Sequence, residues 1–242
     1  MRRAAIIVAA FIAAGAAAAF GEAPIPPFST AAPGAPAPAG WFPIALPYGK
    51  HSEIGVVAEQ GGNVLRVRSV HAFGSMAHRM SVDPSRTPRL SWRWKVDRVV
   101  EGARLDRKGK EDFAARVYVS FDYPEEMLSF ATRAKLAIAR TFFDFVPSAA
   151  ICYVWDNHHA PGTAVWSPHF DHVRVVVLES GNGKAGNWIA EERDIESDFR
   201  AAFPAWKGPL PRVNGLIVGN DTDQTGEEAT AWFGDLHLGA RS

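Results

Sequence analysis

Apolar and polar residues alternate along most of the chain that follows Trp41. In residues 90–96 the apolar side chains fall on one side of an extended strand, and Ser91, Arg93 and Lys95 fall on the other. Similar runs occupy residues 64–70, 113–121, 151–155, 172–178, 213–219 and 230–238. Loops rich in turn residues separate them, which favours antiparallel pairing. The pattern predicts an all-β, jelly-roll-like sandwich of two sheets, with a closed barrel as the alternative.

Two segments depart from this alternation and predict inserted helices. Residues 125–143 have helical spacing, and their apolar stripe comprises Met127, Phe130, Ala131, Ala134, Ile138 and Phe142. The stripe is expected to pack across an edge or end of the sandwich; a lid over a ligand site is the alternative. Residues 194–203 predict a second, short helix that Pro204 ends.

The beginning of the chain has the pattern of an export signal. Arg2 and Arg3 precede an uncharged, Ala-rich stretch that ends in three small residues, which predicts a signal peptide over residues 1–19 and no retained membrane span. Residues 20–40 are rich in Pro and Ala and predict an extended or disordered leader. The folded domain is then expected over residues 41–242, in the periplasm or outside the cell.

Charge and cysteine content narrow the function classes. Lys plus Arg and Asp plus Glu both total 26, so the net charge is zero. A neutral chain has no overall electrostatic attraction for nucleic acid. Cys152 is the only cysteine, so no intrachain disulfide can form. It lies in an apolar strand, which predicts a buried structural thiol rather than a nucleophile.

Closely spaced oxygen-bearing residues follow one apolar strand near the end of the chain. Asp221 and Asp223 alternate with Asn and Thr residues before Gly226, an arrangement that suits a structural calcium ion. The same residues also suit a hydrogen-bonded turn, which is the commoner case. Asp235, on a largely apolar strand face, needs a partner, which could be a cation, an arginine such as Arg116, or backbone amides. With a cation, Asp235 would be a third metal ligand.

Several short motifs together resemble a bacterial family of exported proteins, the domain of unknown function 3047. They comprise residues 112–119, residues 153–155 with 161–163, residues 180–181 with Trp188, residues 221–223 with Gly226, and residues 233–235. The resemblance runs from about Trp41 to the end of the chain and implies export, but the family implies no activity. A weaker resemblance is to jelly-roll carbohydrate-binding modules, whose last strand often carries an Asp that helps to hold calcium.

Three functions fit these features. The first is a non-catalytic module that binds a polysaccharide or another polar component of the cell envelope, because aromatic and Arg side chains suit sugars. Its expected ligand-binding residues are Arg116, Tyr118, Trp155 and Trp166. The second is a periplasmic lyase or hydrolase with catalytic candidates Asp112, Arg116, Asp221 and Asp223. The third is an envelope assembly protein that docks through residues 125–143, which requires their apolar stripe to face solvent.

Overall fold

The computed structural model describes residues 25–44, 49–141 and 145–241. The predicted signal peptide lies outside these residues. The strands are β1 Trp41–Ile44, β2 Lys50–His51, β3 Glu53–Glu59, β4 Gly62–Val70, β5 Ala72–Val82, β6 Arg89–Val96, β7 Phe113–Phe121, β8 Ala149–Asp156, β9 Ala164–Trp166, β10 Val173–Ser180, β11 Ile189–Asp194, β12 Val213–Asp221, β13 Glu228–Phe233 and β14 His237–Gly239. The α-helices are α1 Phe130–Ala139 and α2 Ile195–Ala202, and short 3-10 helices span Phe28–Thr30 and Glu125–Met127.

The strands form two packed sheets, which confirms the predicted β-sandwich. The first sheet has the order β1-β5-β12-β7-β8-β10-β9, and β2 also pairs with β5. The second has the order β11-β6-β13-β4-β3, and β14 also pairs with β6. All pairs are antiparallel except β8 with β10 and β2 with β5.

Alternation along the strands directs one face of each sheet into a shared core. Trp94 from the second sheet lies 5.9 Å from the ring of Trp155 in the first, and Trp92 lies 5.6 Å from the ring of Tyr153. Each large apolar side chain buried here contributes about 1.5–3 kcal/mol relative to an exposed one. Asn220 on β12 also joins the sheets, because its amide donates to the carbonyl oxygens of Val67 and Ala229.

The packed body begins upstream of Trp41. Phe28 is fully buried in the core, where its ring lies 4.8 Å from that of Trp41. Val56 on strand β3 also donates its amide to the Ala35 carbonyl and accepts from the Gly34 amide. Residues 25–40 therefore pack on the sandwich, where the sequence predicted an extended or disordered leader ahead of a domain that begins at Trp41.

Helix α1 buries a different side from the one its sequence predicts. Ser129 caps its first turn by accepting a hydrogen bond from the Thr132 amide at 3.1 Å. Thr132 and Leu136 are its buried residues, whereas Phe130 is 80% exposed and Ile138 is 64% exposed. Met127, Ala131 and Ala134 are exposed as well, so the expectation that the apolar stripe packs on the sandwich is wrong for every described residue of that stripe. Phe142 lies outside the described residues.

Helix α2 matches the prediction for residues 194–203. Asp194 caps it by accepting a hydrogen bond from the Ser197 amide, and Phe199 packs into the core. Neither this helix nor any other in the described residues has the length and apolar character needed to cross a bilayer.

Candidate functional site

Strands β7 and β12 bring three of the predicted carboxylates together. Asp221 ends β12 directly opposite Phe113, the first residue of β7, so Asp112 lies beside it. One carboxylate oxygen from each of Asp112, Asp221 and Asp223 lies within 4.8 Å of the others. The spacing of residues in the sequence predicted that Asp221 and Asp223 lie together, but not that Asp112 joins them, because Asp112 is distant along the chain.

Hydrogen bonds from the protein already hold the two buried members of this acidic group. Asp112 accepts from the amide and the hydroxyl of Thr225, both at 2.7 Å. Asp221 accepts from the amide of Phe113 at 3.0 Å and from the Arg116 guanidinium at 2.6 Å. Asp223 is exposed. The acidic group therefore joins the start of β7 to the turn after β12, and only Asp223 presents its carboxylate to solvent.

Burial and neighbouring charge raise the pKa values of Asp221 and Asp223. Burial raises the pKa of Asp221 to about 7, the charge of Asp112 adds to this rise, and Arg116 opposes it. The pKa of Asp223 is also raised, chiefly by burial and then by Asp112. Burial opposes the charged form of Arg116, yet Asp221 keeps its pKa above the ordinary value. One guanidinium thus faces three acids, which leaves an excess of negative charge.

This excess of charge suits a cation, but the ligand set differs from the predicted one. Asp112 takes the place of Asp235, whose carboxylate instead accepts hydrogen bonds from the amide and hydroxyl of Ser29 at 2.9 and 2.6 Å. Asp235 therefore holds the upstream segment, and Arg116 pairs with Asp221 rather than with Asp235. Calcium at this group stays a prediction, since Ca²⁺ needs six or more oxygens and Arg116 occupies one of them.

The predicted ligand-binding residues do not form one surface. Trp155 is only 1% exposed, packs in the core and donates its ring N–H to the Gly181 carbonyl, so its assignment to an exposed site is wrong. Trp166 is 40% exposed, as expected, and lies on the short edge strand β9. Arg116 and Tyr118 lie together on the outer face of the first sheet, with the guanidinium carbon 5.7 Å from the Tyr118 ring centre.

That outer face of the first sheet is largely covered. Leu105, in the loop after β6, packs with Cys152, Val154 and Val175 in a second apolar cluster. Cys152 is fully buried, as predicted, and burial raises the pKa of its thiol to about 12. The environment of Arg116 is thus a closed interior with little access for a large ligand.

The outer face of the second sheet is different, because aromatic and cationic side chains alternate across its strands. Trp232 on β13 lies opposite Lys95 on β6, and Trp188 immediately precedes β11 on the other side. The Lys95 ammonium lies 4.5 Å from the ring centre of Trp232 and 5.1 Å from that of Trp188. We name these three residues the Trp–Lys–Trp row. Both rings are half-buried, so each leaves part of its surface exposed.

Two arginines extend this surface. The Arg93 guanidinium lies 4.6 Å from the ring centre of Trp188 and donates to the Gly61 carbonyl in the β3–β4 turn. Arg66 lies opposite Trp232 on the next strand, β4. Its Nε is buried and has no hydrogen-bond partner among the described residues, which leaves a donor in need of an acceptor.

Glycine makes room for Arg93 on this face. A Cβ atom at Gly234 would lie 2.6 Å from the Arg93 Cγ, and the Gly234 amide donates to the Arg93 carbonyl. A larger residue would push the guanidinium away from Trp188. The sequence shows Arg93 and Lys95 on the polar side of β6, but pairing with Trp188 and Trp232 depends on strand order, which the sequence does not give.

A family model described as "Protein of unknown function (DUF3047)" matches residues 39–237. The chain belongs to this family. Its description assigns no activity, and no curated protein matches the chain.

Several solved structures are similar to this chain at low identity. The xyloglucanase domain of NopAA, a type three effector from Sinorhizobium fredii solved with cellobiose, is 10% identical, covers 91% of this chain and 100% of its own, and has a TM-score of 0.43. Endoglucanase cel12A from Rhodothermus marinus is 10% identical over 84% of this chain and 92% of its own, with a TM-score of 0.43. The K2 cleaved adhesin domain of Lys-gingipain is 11% identical over 90% and 97%, with a TM-score of 0.38.

The residues that carried the resemblance to DUF3047 lie both in the buried acidic group and on the outer face of the second sheet. Asp112, Arg116 and Asp221 form the buried group, and Trp188 belongs to the Trp–Lys–Trp row. In residues 233–235, Phe233 is fully buried, Gly234 accommodates Arg93 and Asp235 holds Ser29. In this chain these family motifs therefore include residues that brace the sandwich and residues on its open face.

Proposed function

We propose that this member of DUF3047 binds a glycan on the outer face of its second sheet, as an exported component of the cell envelope. The carrying observation is the Trp–Lys–Trp row, in which two half-exposed indole rings flank a cation on a sheet face. Indole faces stack on the apolar faces of sugar rings, and the polar tips around them accept or donate hydrogen bonds.

The charges around the row favour a glycan that carries carboxylates. Arg93 reaches over Trp188, and the partly exposed Arg66 lies opposite Trp232 and is in no ion pair among the described residues. Guanidinium groups bind carboxylates in a bidentate geometry. Glu59, which pairs with Lys95 at 2.9 Å, adds an acceptor for sugar hydroxyls. A uronic-acid polysaccharide meets these requirements better than a neutral one.

Calorimetric titration with hexagalacturonate and with cellohexaose tests this function. Trp188→Ala and Trp232→Ala should each weaken hexagalacturonate binding at least tenfold, about 1.4 kcal/mol, while the melting temperature shows that the protein folds. Trp166→Ala is the matched control, because it removes an equally large ring that is 40% exposed on another sheet. Absence of binding to both oligosaccharides, or an equal loss in the control, would contradict the proposal.

A second candidate, a glycan-active lyase or hydrolase, has one supporting observation. Asp223 is exposed and lies beside Asp221, whose pKa is raised to about 7, and such a pair supplies an acid and a base. Turnover of polygalacturonate, followed by unsaturated products or new reducing ends, should then vanish in Asp223→Asn. If the wild-type protein shows no turnover, this candidate is removed and the binding proposal is unaffected.

A further inference from the structure

Exposed apolar side chains are concentrated in two segments of the described chain. The large hydrophobic residues that are most exposed are Met127, Phe130, Ile138, Trp166 and Phe170. The first three belong to the 3-10 turn and helix α1, and the other two belong to β9 and the loop that follows it. Exposed apolar residues that are scattered singly over a surface are normal, whereas a cluster of them indicates an interaction site.

Hydrogen bonds hold these two segments next to each other. The Thr132 hydroxyl donates to the Asp171 carboxylate at 2.7 Å, and Ser129 donates to the same group at 3.4 Å. Asp171 directly follows Phe170, so the loop is fixed against the first turn of α1. We call the combined surface the α1 patch. It includes Phe130 and Phe170.

The α1 patch carries a small excess of positive charge although the whole chain is neutral. Residues 125–141 contain Arg133, Lys135 and Arg140 against Glu125 and Glu126, and Asp171 adds a third carboxylate beside the first turn of α1. Arg140 pairs with Glu125, but among the described residues no ion pair involves Arg133 or Lys135, and both are exposed. Arg174 adds a cation above the ring of Trp166, at 5.2 Å.

We propose that the α1 patch docks on an anionic lipid surface without crossing it. Exposed apolar side chains flanked by Lys and Arg are typical of helices that lie in the membrane interface. Basic residues are attracted to an anionic surface, and Phe130 and Ile138 would enter the boundary between headgroups and acyl chains. A symmetric dimer through this patch is less favourable, since it would bring the unpaired cations of two copies together.

Vesicle sedimentation tests the proposal. The wild-type protein should bind vesicles of equal parts phosphatidylglycerol and phosphatidylcholine at least tenfold more tightly than vesicles of phosphatidylcholine alone. Binding should weaken in 0.5 M NaCl, because salt screens exposed charges. Equal binding to the two kinds of vesicle, or binding to neither, overturns the proposal.

Two variants probe the apolar and the charged contributions separately. The first is a double variant, Phe130→Ser with Ile138→Ser, and the second is the single variant Lys135→Glu. Each should lower vesicle binding at least fivefold. All three residues are exposed, so the melting temperature should not change, and Lys135→Glu decides the matter if the double variant folds poorly. Lys50→Glu is the matched control, since it reverses an exposed lysine that is also in no ion pair among the described residues and lies on β2, at the end of the first sheet away from β9.

Self-association is measured alongside by sedimentation velocity in the absence of lipid. A dimer that is lost in the double variant, together with unchanged vesicle binding, would assign the patch to a second copy of this chain and overturn the lipid proposal. Neither result bears on glycan binding, which depends on the opposite sheet.

Discussion

The cationic side chains on the outer faces of the two sheets have opposite environments: one is enclosed and the others are partly exposed. On the first sheet, Arg116 is enclosed and meets the charge of Asp221 at 2.6 Å. On the second, Lys95 and Arg93 lie against half-exposed indole rings. Enclosed charges need complete pairing. Lys95 already pairs with Glu59, whereas Arg93 is partly exposed and is in no ion pair among the described residues, so its charge remains available to a ligand. The first arrangement is tolerated in the fold because each charge has its partner, and the second suits recognition.

Removal of the enclosed cation should have the largest effect. Arg116→Met leaves Asp221 buried without its partner, and we expect a loss of about 3–5 kcal/mol in the free energy of unfolding at pH 8. Arg93→Met, the control on the open face, should cost about 1 kcal/mol or less, because Arg93 is only partly buried and is in no ion pair among the described residues. Urea denaturation of both variants measures the difference. Similar losses would remove the distinction between the two faces.

The enclosed pair should also make stability depend on pH. Because the pKa of Asp221 is raised to about 7 in the folded state, the folded protein holds a proton that the unfolded chain releases near pH 4. This contribution is fully present below pH 4 and is lost as pH rises through 7, with a slope approaching about 1.4 kcal/mol per pH unit. The unfolding free energy of the wild type should therefore fall, relative to that of Asp221→Asn, between pH 4 and pH 8. A constant difference would show that Asp221 does not titrate in this range.

On the open face, a single methyl group should displace Arg93. Gly234→Ala places a Cβ close to the Arg93 side chain, so we expect hexagalacturonate affinity to fall about tenfold and stability to fall by about 1 kcal/mol. Gly239→Ala is the control, because a Cβ there meets no atom within 4 Å. Calorimetry and thermal unfolding separate the two effects. Unchanged affinity in Gly234→Ala would show that the position of Arg93 is unimportant for the ligand.

The smallest effect on stability is expected at Asp223, the exposed member of the acidic group. Asp223→Asn removes one of three repelling carboxylates and should raise the melting temperature by about 2 °C at pH 8 without calcium. Calcium chloride should raise the melting temperature of the wild type and leave that of the variant unchanged. If neither protein responds to calcium, the acidic group is a hydrogen-bonded turn.

The alternation of apolar and polar residues predicted the sandwich, but it did not identify the strands in which this alternation is interrupted. The run at residues 113–121 coincides with β7, and residues 90–96 match β6 to within one residue. Strand β5 was missed, since Gly74, Ser75 and His78 interrupt its apolar positions. These residues are tolerated because Gly74 lies against Ser52 and His78 packs on Trp41, contacts that no local pattern reveals.

The candidate site was only partly predictable for the same reason. Asp221 and Asp223 are close in sequence and were identified, and Arg116 lies beside them as one candidate among several. Trp155 was misplaced because alternation assigns a residue to a face without saying which face is inside. The Trp–Lys–Trp row joins three strands whose order, β11-β6-β13, follows from long-range pairing.

The central position of the late strands has a consequence for how the chain folds. Strand β12 lies between β5 and β7, and β13 lies between β6 and β4, so each sheet receives an interior strand from residues 213–233. Neither sheet can close while that stretch is still inside the ribosome. Closure of both sheets must therefore wait for nearly the whole chain, and a protein with so many distant pairings should fold slowly.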